Sequence, residues 1–422
     1  MRFYLREGFV TVALSWILMS VIGCLPFVIN GDIPHFADAL FEMISGFTTT
    51  GATVVSDVEG LTKGSLFWRS FSHWIGGMGV LVFLLAIVPM AGGSHMNLMK
   101  AESPGPSVGK LVPKVRQTAK YLYIIYFALT MIEVIFLLFG GMNLFEALTT
   151  SFGTAGTGGF AIWNDGFVSV SPYNQWVVTI FMLLFGVNFG FYFLILTGKL
   201  RDALKFEEVR IYFIIVIAAA VFIFINLRHF ALYAPAEGIR QAFFQVASII
   251  TTTGFASADF NLWPETSRTI LVLLMFIGAC AGSTGGGIKV SRFIIACKSF
   301  IKEIISYLHP RSVKKIKIEG KPLEHETLRA TNVYFMTYMV IFAVSVLLVS
   351  IENKDLVTNF AAVAATFNNI GPGLSLVGPM ANFGHFTDFT KYILMFDMLA
   401  GRLEIFPMML LFCPAVWKRR RA

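Results

Sequence analysis

Long apolar stretches along this chain are separated by short polar ones, and the separations recur at a regular interval. Basic residues collect at the start (Arg2, Arg6), then at Lys100, Lys110, Lys114, Arg116 and Lys120, then at Lys199, Arg201, Lys205 and Arg210. A longer cluster runs from Lys289 through Lys298, Lys302, Arg311, Lys314, Lys315, Lys317 and Lys321 to Arg329, and the last is Lys418 to Arg421. Each interval is too long for one membrane helix of ~20 residues and fits two. The middle of each interval is a shorter, moderately apolar stretch ending in Thr, Asn and Gly, the signature of a re-entrant segment. The pattern predicts an all-α polytopic membrane protein of four helix–pore loop–helix quarters: residues 1–95, 96–200, 201–325 and 326–422. Outer helices are expected over Gly8–Asn30, Lys120–Gly140, Val209–Tyr233 and Arg329–Ser350. Second helices are expected over Leu66–Met90, Tyr173–Leu196, Arg268–Phe300 and Thr387–Trp417.

Composition makes the membrane reading close to forced. The 422 residues are 56% hydrophobic and 14% charged, with mean hydropathy +0.71, whereas a soluble surface needs roughly 25–35% charged side chains. The net charge of +8 does not point to nucleic acid. The basic clusters lie between apolar spans, where cytoplasmic Lys and Arg are expected, and this puts both termini on the cytoplasmic side. Gly8–Asn30, with Pro26 late in it, reads as a first transmembrane helix rather than a cleavable leader. Cys24, Cys280, Cys297 and Cys413 show neither a disulfide framework nor a zinc spacing.

The four re-entrant segments carry the chemistry. LFEMISGFTTTGAT (Leu40–Thr53), LTTSFGTAGTGGFA (Leu148–Ala161), FFQVASIITTTGFA (Phe243–Ala256) and FAAVAATFNNIGPG (Phe360–Gly373) align without gaps on Gly51, Gly159, Gly254 and Gly371. A small residue (Ser45, Gly153, Ser248, Ala365) stands six positions before each glycine. A cation leaving water needs its hydration shell replaced, and rings of backbone carbonyls can do this. Aiming successive carbonyls at one axis needs backbone angles that glycine tolerates. The expected filters are residues 48–52, 156–160, 251–255 and 368–372. Their carbonyl donors are Thr48, Thr49, Thr50 and Gly51; Gly156, Thr157, Gly158 and Gly159; Thr251, Thr252, Thr253 and Gly254; Asn368, Asn369, Ile370 and Gly371. No carboxylate lies within these strands, which favours carbonyl coordination of a monovalent cation over an Asp or Glu ring.

Below the third filter the sequence forbids a helix. Ala279 to Gly287 includes Gly282, Ser283, Thr284, Gly285, Gly286 and Gly287, and each glycine costs a helix interior about 1 kcal/mol. An unwound loop over 278–288 follows. Its GSTGGGIK lacks the Gly-Lys-Ser/Thr order of a phosphate loop. Lys289 either anchors this loop or snorkels to headgroups. Arg402, inside the fourth inner helix, would place a positive charge in a cation's path, with Asp397 or Glu404 as candidate counter-charges. Lys298 to Arg329 could dock a regulator or serve topology and lipid attraction. Asp32, Asp38, Glu42, Asp57 and Glu59 read as a solvated outer surface or a cation-concentrating rim, with a brace for the filter as the alternative for Glu42, which lies within a pore helix. The seven histidines show no metal-ligand spacing, and none is assigned a role.

At TTTGA, TTTGF and NNIGPG, with GSTGGGIK at Gly282–Lys289 and AGRLEIFP at Ala400–Pro407, the chain resembles the TrkH/KtrB family of K⁺ transport subunits over nearly its whole length. Many TrkH members carry two further helices before the first repeat. Here the chain opens almost directly on the first outer helix, as in KtrB, although its local motifs are closer to TrkH. The resemblance implies K⁺ as the transported ion, no bound cofactor, and a gating role for the 278–288 loop. It also implies a homodimer in the bacterial inner membrane and a cytosolic nucleotide-binding regulatory partner of the TrkA/KtrA type. A secondary transporter of another solute, or Na⁺-coupled K⁺ symport, remain the alternatives. An intramembrane enzyme would need a nucleophile–base pair or metal ligands within the spans, and the sequence offers none.

Overall fold

The computed structural model describes residues 5–79, 115–309 and 315–417. The basic positions Arg2, Lys100, Lys110, Lys114, Arg311, Lys314 and Lys418 to Arg421 lie outside the described residues, as does the 80–90 portion of the expected first inner helix.

Four long helices form the periphery: Leu5–Asn30, Val115–Phe139, Glu207–His229 and His325–Val349. Each contains a stretch long and apolar enough to cross a membrane. The third shows why they sit outside. It buries Val209, Tyr212, Val216, Ala220, Ile223 and Leu227, one helical stripe, yet exposes Ile214, Ile217, Phe222 and Ile225. A helix apolar all round with only one stripe buried has lipid as its other solvent.

Inside this periphery lie four short helices: Phe36–Phe47, Leu144–Gly156, Pro235–Ile250 and Leu356–Phe367. They run 12 to 16 residues, below the ~20 that span a bilayer. Local signals start three of them. Asn143 and Glu146 form a capping box, Pro235 occupies the first turn, and the Asp355 side chain accepts from Thr358 N–H. The buried core runs through these helices and the inner helices beside them.

The inner helices differ from expectation. The first is Lys63–Met78. The second was expected as one helix over Tyr173–Leu196 but is Pro172–Phe185 followed by Phe189–Leu196, bent by 88°. Asn188 caps the new segment by accepting from Gly190 N–H at 2.8 Å. The third is Glu265–Met275, then a loop, then Val290–Leu308. The fourth, expected over Thr387–Trp417, ends at Arg402 and resumes as Phe406–Leu411 and Pro414–Trp417. Glu404 and Ile405 take positive φ there, 61° and 68°, and Pro407 opens the next short helix. The unwound glycine loop expected in the third inner helix is present, and the second and fourth, expected as continuous helices, are broken as well. A short helix, Leu200–Ala203, precedes the third outer helix. The strands Lys317–Ile318 and Lys321–Pro322 form a hairpin, the only sheet among the described residues.

Candidate functional site: a ring of four glycine-ended turns

The short helices all end alike. The N–H of Thr50 donates to Ser45 C=O at 2.9 Å, Gly158 to Gly153 at 2.8 Å, Thr253 to Ser248 at 2.9 Å and Ile370 to Ala365 at 2.8 Å. This is the wide bond of a Schellman motif, and it requires a left-handed residue just before the donor. Thr49, Thr157, Thr252 and Asn369 occupy that place at φ 55°, 55°, 59° and 54°. Glycine or asparagine is usual there. Three β-branched threonines are strained, at about 1–3 kcal/mol each. The small residues found six positions before each glycine in the sequence are thus the acceptors of these bonds. The turn consumes N–H groups and leaves the carbonyls of the same residues for other use.

The following glycines close a ring. Gly51, Gly159, Gly254 and Gly371 have φ 77°, 79°, 83° and 97°. A Cβ on Gly51 would lie 1.9 Å from Gly158 O, one on Gly159 2.0 Å from Thr253 O, and one on Gly254 1.9 Å from Ile370 O. One on Gly371 would lie 2.7 Å from Thr50 O. Each glycine therefore abuts the next quarter's residue in order, and the fourth returns to the first. All four line one cavity, with Asn382 and Phe383 also in its wall.

The ring is braced from behind by Glu42 and by two residues the sequence reading passed over, Arg69 and Gln245. Arg69, fully buried on the first inner helix, donates from Nε to Glu42 Oε1 at 2.7 Å and lies over the Phe160 ring at 4.1 Å. Glu42 also accepts from Thr53 Oγ1 at 2.9 Å and Val54 N–H at 3.1 Å, so it ties down the strand leaving the first turn, the bracing role considered for it. Gln245 stands at the same place, nine before its glycine. With its amide oxygen turned to the chain, it accepts from Ser257 N–H at 2.9 Å and Ala258 N–H at 3.2 Å. Register alone could have paired Glu42 with Gln245, and Arg69 was visible as an ionisable residue within a span.

His73 explains why the second turn reads GTGG. Its Nδ1 meets Gly46 O at 2.7 Å and its Nε2 accepts from Phe160 N–H at 3.2 Å. A Nδ1–H tautomer satisfies both bonds and fixes the ring. A Cβ on Gly158 would fall 2.2 Å from the imidazole Cγ, and one on Gly156 2.2 Å from His73 O. In the first and third turns the corresponding threonines pair instead, Thr48 with Thr50 at 2.8 Å and Thr251 with Thr253 at 2.7 Å. In the fourth, Asn369 Nδ2 reaches Thr50 Oγ1 at 2.9 Å and Met398 O at 2.9 Å, and Tyr338 donates to Asn368 Oδ1 at 3.1 Å.

Phe276 to Lys289 crosses beneath the ring. Gly286 N–H donates to Thr252 Oγ1 at 2.6 Å. A Cβ on Gly285 would meet Thr251 O at 2.9 Å, and one on Gly286 would meet Asn368 O at 2.9 Å. Close approach to the ring, more than flexibility, is what these two glycines provide. The loop is zipped to the break in the second inner helix: Cys280 N–H donates to Gly186 O at 3.0 Å and Phe189 N–H to Gly282 O at 3.0 Å. Lys289 is buried and its Nζ donates to Gly285 O, which is an anchoring and not a snorkelling geometry.

Arg402 joins three quarters. It donates to Thr284 O of the loop at 2.8 Å and to Gly76 O and Gly77 O, at the C-terminal end of the first inner helix, at 2.5 and 3.2 Å. A cation suits these terminal carbonyls. Glu404 pairs with Arg292, and Asp397 accepts from Ser345 at 2.7 Å. The acidic residues of the outer loops act as fasteners. Asp38 pairs with Lys391 at 2.5 Å, Asp32 accepts from Thr62 and Ser65, and Glu59 accepts from Asn164 N–H. The Asn164 amide and Gly60 N–H hold the Asp57 carboxyl below its ordinary range.

A family model described as TrkH, cation transport protein, matches residues 1–419. The Trk system potassium uptake protein TrkH of Escherichia coli (strain K12) is 38% identical, covering 98% of this chain and 86% of that protein. The Trk system potassium uptake protein TrkG of the same strain is 33% identical at the same coverages. The crystal structure of the potassium transporter TrkH from Vibrio parahaemolyticus superposes with TM-score 0.86 at 35% identity, covering 98% of this chain and 86% of that one.

Proposed function

Since the chain belongs to the TrkH family of cation transport proteins, we propose that it is the K⁺-conducting subunit of an uptake system in the bacterial inner membrane, with the glycine ring as its selectivity filter. Its family is one of transporters, not enzymes. The observation that carries the reading is the closed ring: four turns with the same backbone angles, each glycine against the next quarter's carbonyl. A spherical cation stripped of water needs equivalent oxygens on all sides, and carbonyls left free by the Schellman bonds supply them. The short helices end at the ring, so the negative ends of their dipoles favour a cation there.

In this reading the quarters are the repeats 1–95, 96–200, 201–325 and 326–422, the loop over 278–288 is the gate, and Arg402 is a positive barrier on the inward path. The loop's contacts with Thr251, Thr252 and Asn368 support a plug directly under the filter. Both termini are cytoplasmic, the protein works as a homodimer, and a cytosolic nucleotide-binding subunit of the TrkA/KtrA type docks on the basic face that includes Lys298 and Lys317.

The test is uptake of radioactive Rb⁺ into liposomes holding the purified protein, paired with rescue of cells deficient in K⁺ uptake. Arg402→Ala is expected to raise flux about tenfold, what a barrier lowered by ~1.4 kcal/mol gives, with K⁺ over Na⁺ preference unchanged. Wild-type protein that is folded but conducts neither with nor without its regulator would sink the proposal. Uptake that stops without a Na⁺ gradient would replace conduction by symport.

A further inference from the structure

The segment from Phe276 to Lys289 leaves one helix and joins another, so it stays beneath the ring only if both of its limbs are held. One side chain holds both. Glu208 lies in the first turn of the outer helix Glu207–His229 and is buried. Its Oε1 accepts from Ala281 N–H at 2.7 Å and from Ser291 N–H at 2.9 Å. These donors lie on opposite sides of the glycine run. Val290 N–H donates to Ala279 O at 3.0 Å and closes the base of the loop beside them.

The preceding residue faces the other way. Glu207 Oε1 pairs with Lys298 Nζ at 2.5 Å, and Lys298 also donates to Lys317 O in the hairpin at 2.8 Å. Glu319 N–H, in the hairpin turn, donates to Glu207 Oε2 at 3.5 Å. Two adjacent carboxylates on one helical turn thus grip the loop on one side and the hairpin on the other.

We propose that Glu208 is the latch of the loop, a positioning residue that keeps it seated under the ring, and that Glu207 makes the same helical turn answer to the hairpin. The inference rests on the reading of 278–288 as the gate. Movement of the hairpin by a docked regulator would shift the helix start and lengthen both Glu208 bonds at once. The loop would then lose the one side chain that grips both of its limbs, and would keep two backbone bonds and the Thr284 hydroxyl to the second inner helix and one bond each to Thr252 and Arg402.

The experiment uses the full chain in liposomes with Cys297 and Cys413, both exposed, changed to Ser, leaving the buried Cys24 and Cys280. Glu208→Ala is expected to raise Rb⁺ flux several-fold with its preference over Na⁺ intact. It should speed maleimide labelling of Cys280 about tenfold while Cys24 stays protected, the mark of local and not global opening. Glu208→Gln, whose side-chain oxygen still accepts, should stay near wild type, and Glu207→Ala should give a smaller rise. Deletion of residues 283–286 is the control for the gate itself. If the deletion raises flux and Glu208→Ala does not, the latch is refuted and the gate stands. If the deletion leaves flux unchanged, the gate reading fails and the latch with it. Labelling of both cysteines, or equal behaviour of the Ala and Gln variants, also overturns the latch. Should Glu208→Ala fail to fold, Glu208→Asp reaches one N–H but not both, and unchanged Cys280 labelling there would be equally decisive against it.

Discussion

The ring and the layer beneath it are built on opposite plans. At the ring, the same Schellman turn, a left-handed residue at the same place and the same glycine recur four times. Beneath it no two quarters agree. The first inner helix ends its carbonyls on Arg402, the second bends by 88°, the third opens into a loop, and the fourth breaks just after Arg402. Under the proposed function the contrast follows from what each layer handles. A bare ion is spherical and rewards equivalent oxygens on every side. A barrier needs only one part that moves, and that part needs dissimilar neighbours to hold it.

The largest expected effect comes from breaking the ring's equivalence. At Gly254 a side chain meets both a positive φ and a backbone oxygen 1.9 Å away. At Gly371 the φ is similarly positive but the nearest oxygen is 2.7 Å away. Gly254→Ser should abolish K⁺ over Na⁺ preference and cut Rb⁺ flux about 100-fold, near 2.7 kcal/mol. Gly371→Ser should keep part of both, since its overlap with a backbone oxygen is smaller than at Gly254 while the cost of the positive φ, ~1–2 kcal/mol, is shared by the two sites. Competition of Rb⁺ uptake by Na⁺ in liposomes separates them. Intact preference in folded Gly254→Ser protein would remove the ring from selectivity altogether.

A middle-sized effect tests why one turn departs from the others. Gly158→Thr would copy the first and third turns, but its Cβ would fall on the His73 ring. A loss of about tenfold in flux is expected, ~1.4 kcal/mol. Adding His73→Ala removes the obstacle and should recover part of that loss, even though Phe160 N–H then loses its acceptor. A double variant no better than Gly158→Thr alone would show that the second turn needs glycine for another reason.

The sequence disclosed the ring better than what surrounds it, and the reason is physical. Repetition made the four glycines and the small residues six before them visible without a structure, because each quarter must solve the same backbone problem. The unwound third inner helix was legible too, since a glycine run cannot be helical. The breaks at Gly186–Asn188 and Glu404–Ile405 were not. Tyr173–Leu196 is mostly apolar and carries no charged residue, and its bend pairs with the distant loop at Cys280 and Gly282. His73 and Glu208 escaped for the same reason. Their partners, Gly46 and Phe160 in one case and Ala281 and Ser291 in the other, lie far along the chain and use backbone atoms, which no residue pattern records.

The smallest effect probes how far the equivalence of the turns extends to their side chains. Thr48 Oγ1 gives its hydrogen to Ile44 O at 2.6 Å, so Thr50 must donate to Thr48. Thr251 likewise donates to Ala247 O at 2.6 Å, so Thr253 donates to Thr251. To this point the two turns match. Thr50 Oγ1 then also accepts from Asn369 Nδ2 at 2.9 Å, and Asn369 spends its other hydrogen on Met398 O. Thr253→Val removes one neutral bond and leaves only an acceptor unfilled, a loss of about 1 kcal/mol. Thr50→Val removes the same bond and strands a buried amide hydrogen as well, adding about 1–3 kcal/mol. Thermal unfolding of the two variants in one detergent should therefore rank Thr50→Val below Thr253→Val, and both below wild type. Equal losses would mean that the contact between the fourth turn and the first contributes nothing, and that the ring is held by its backbone alone.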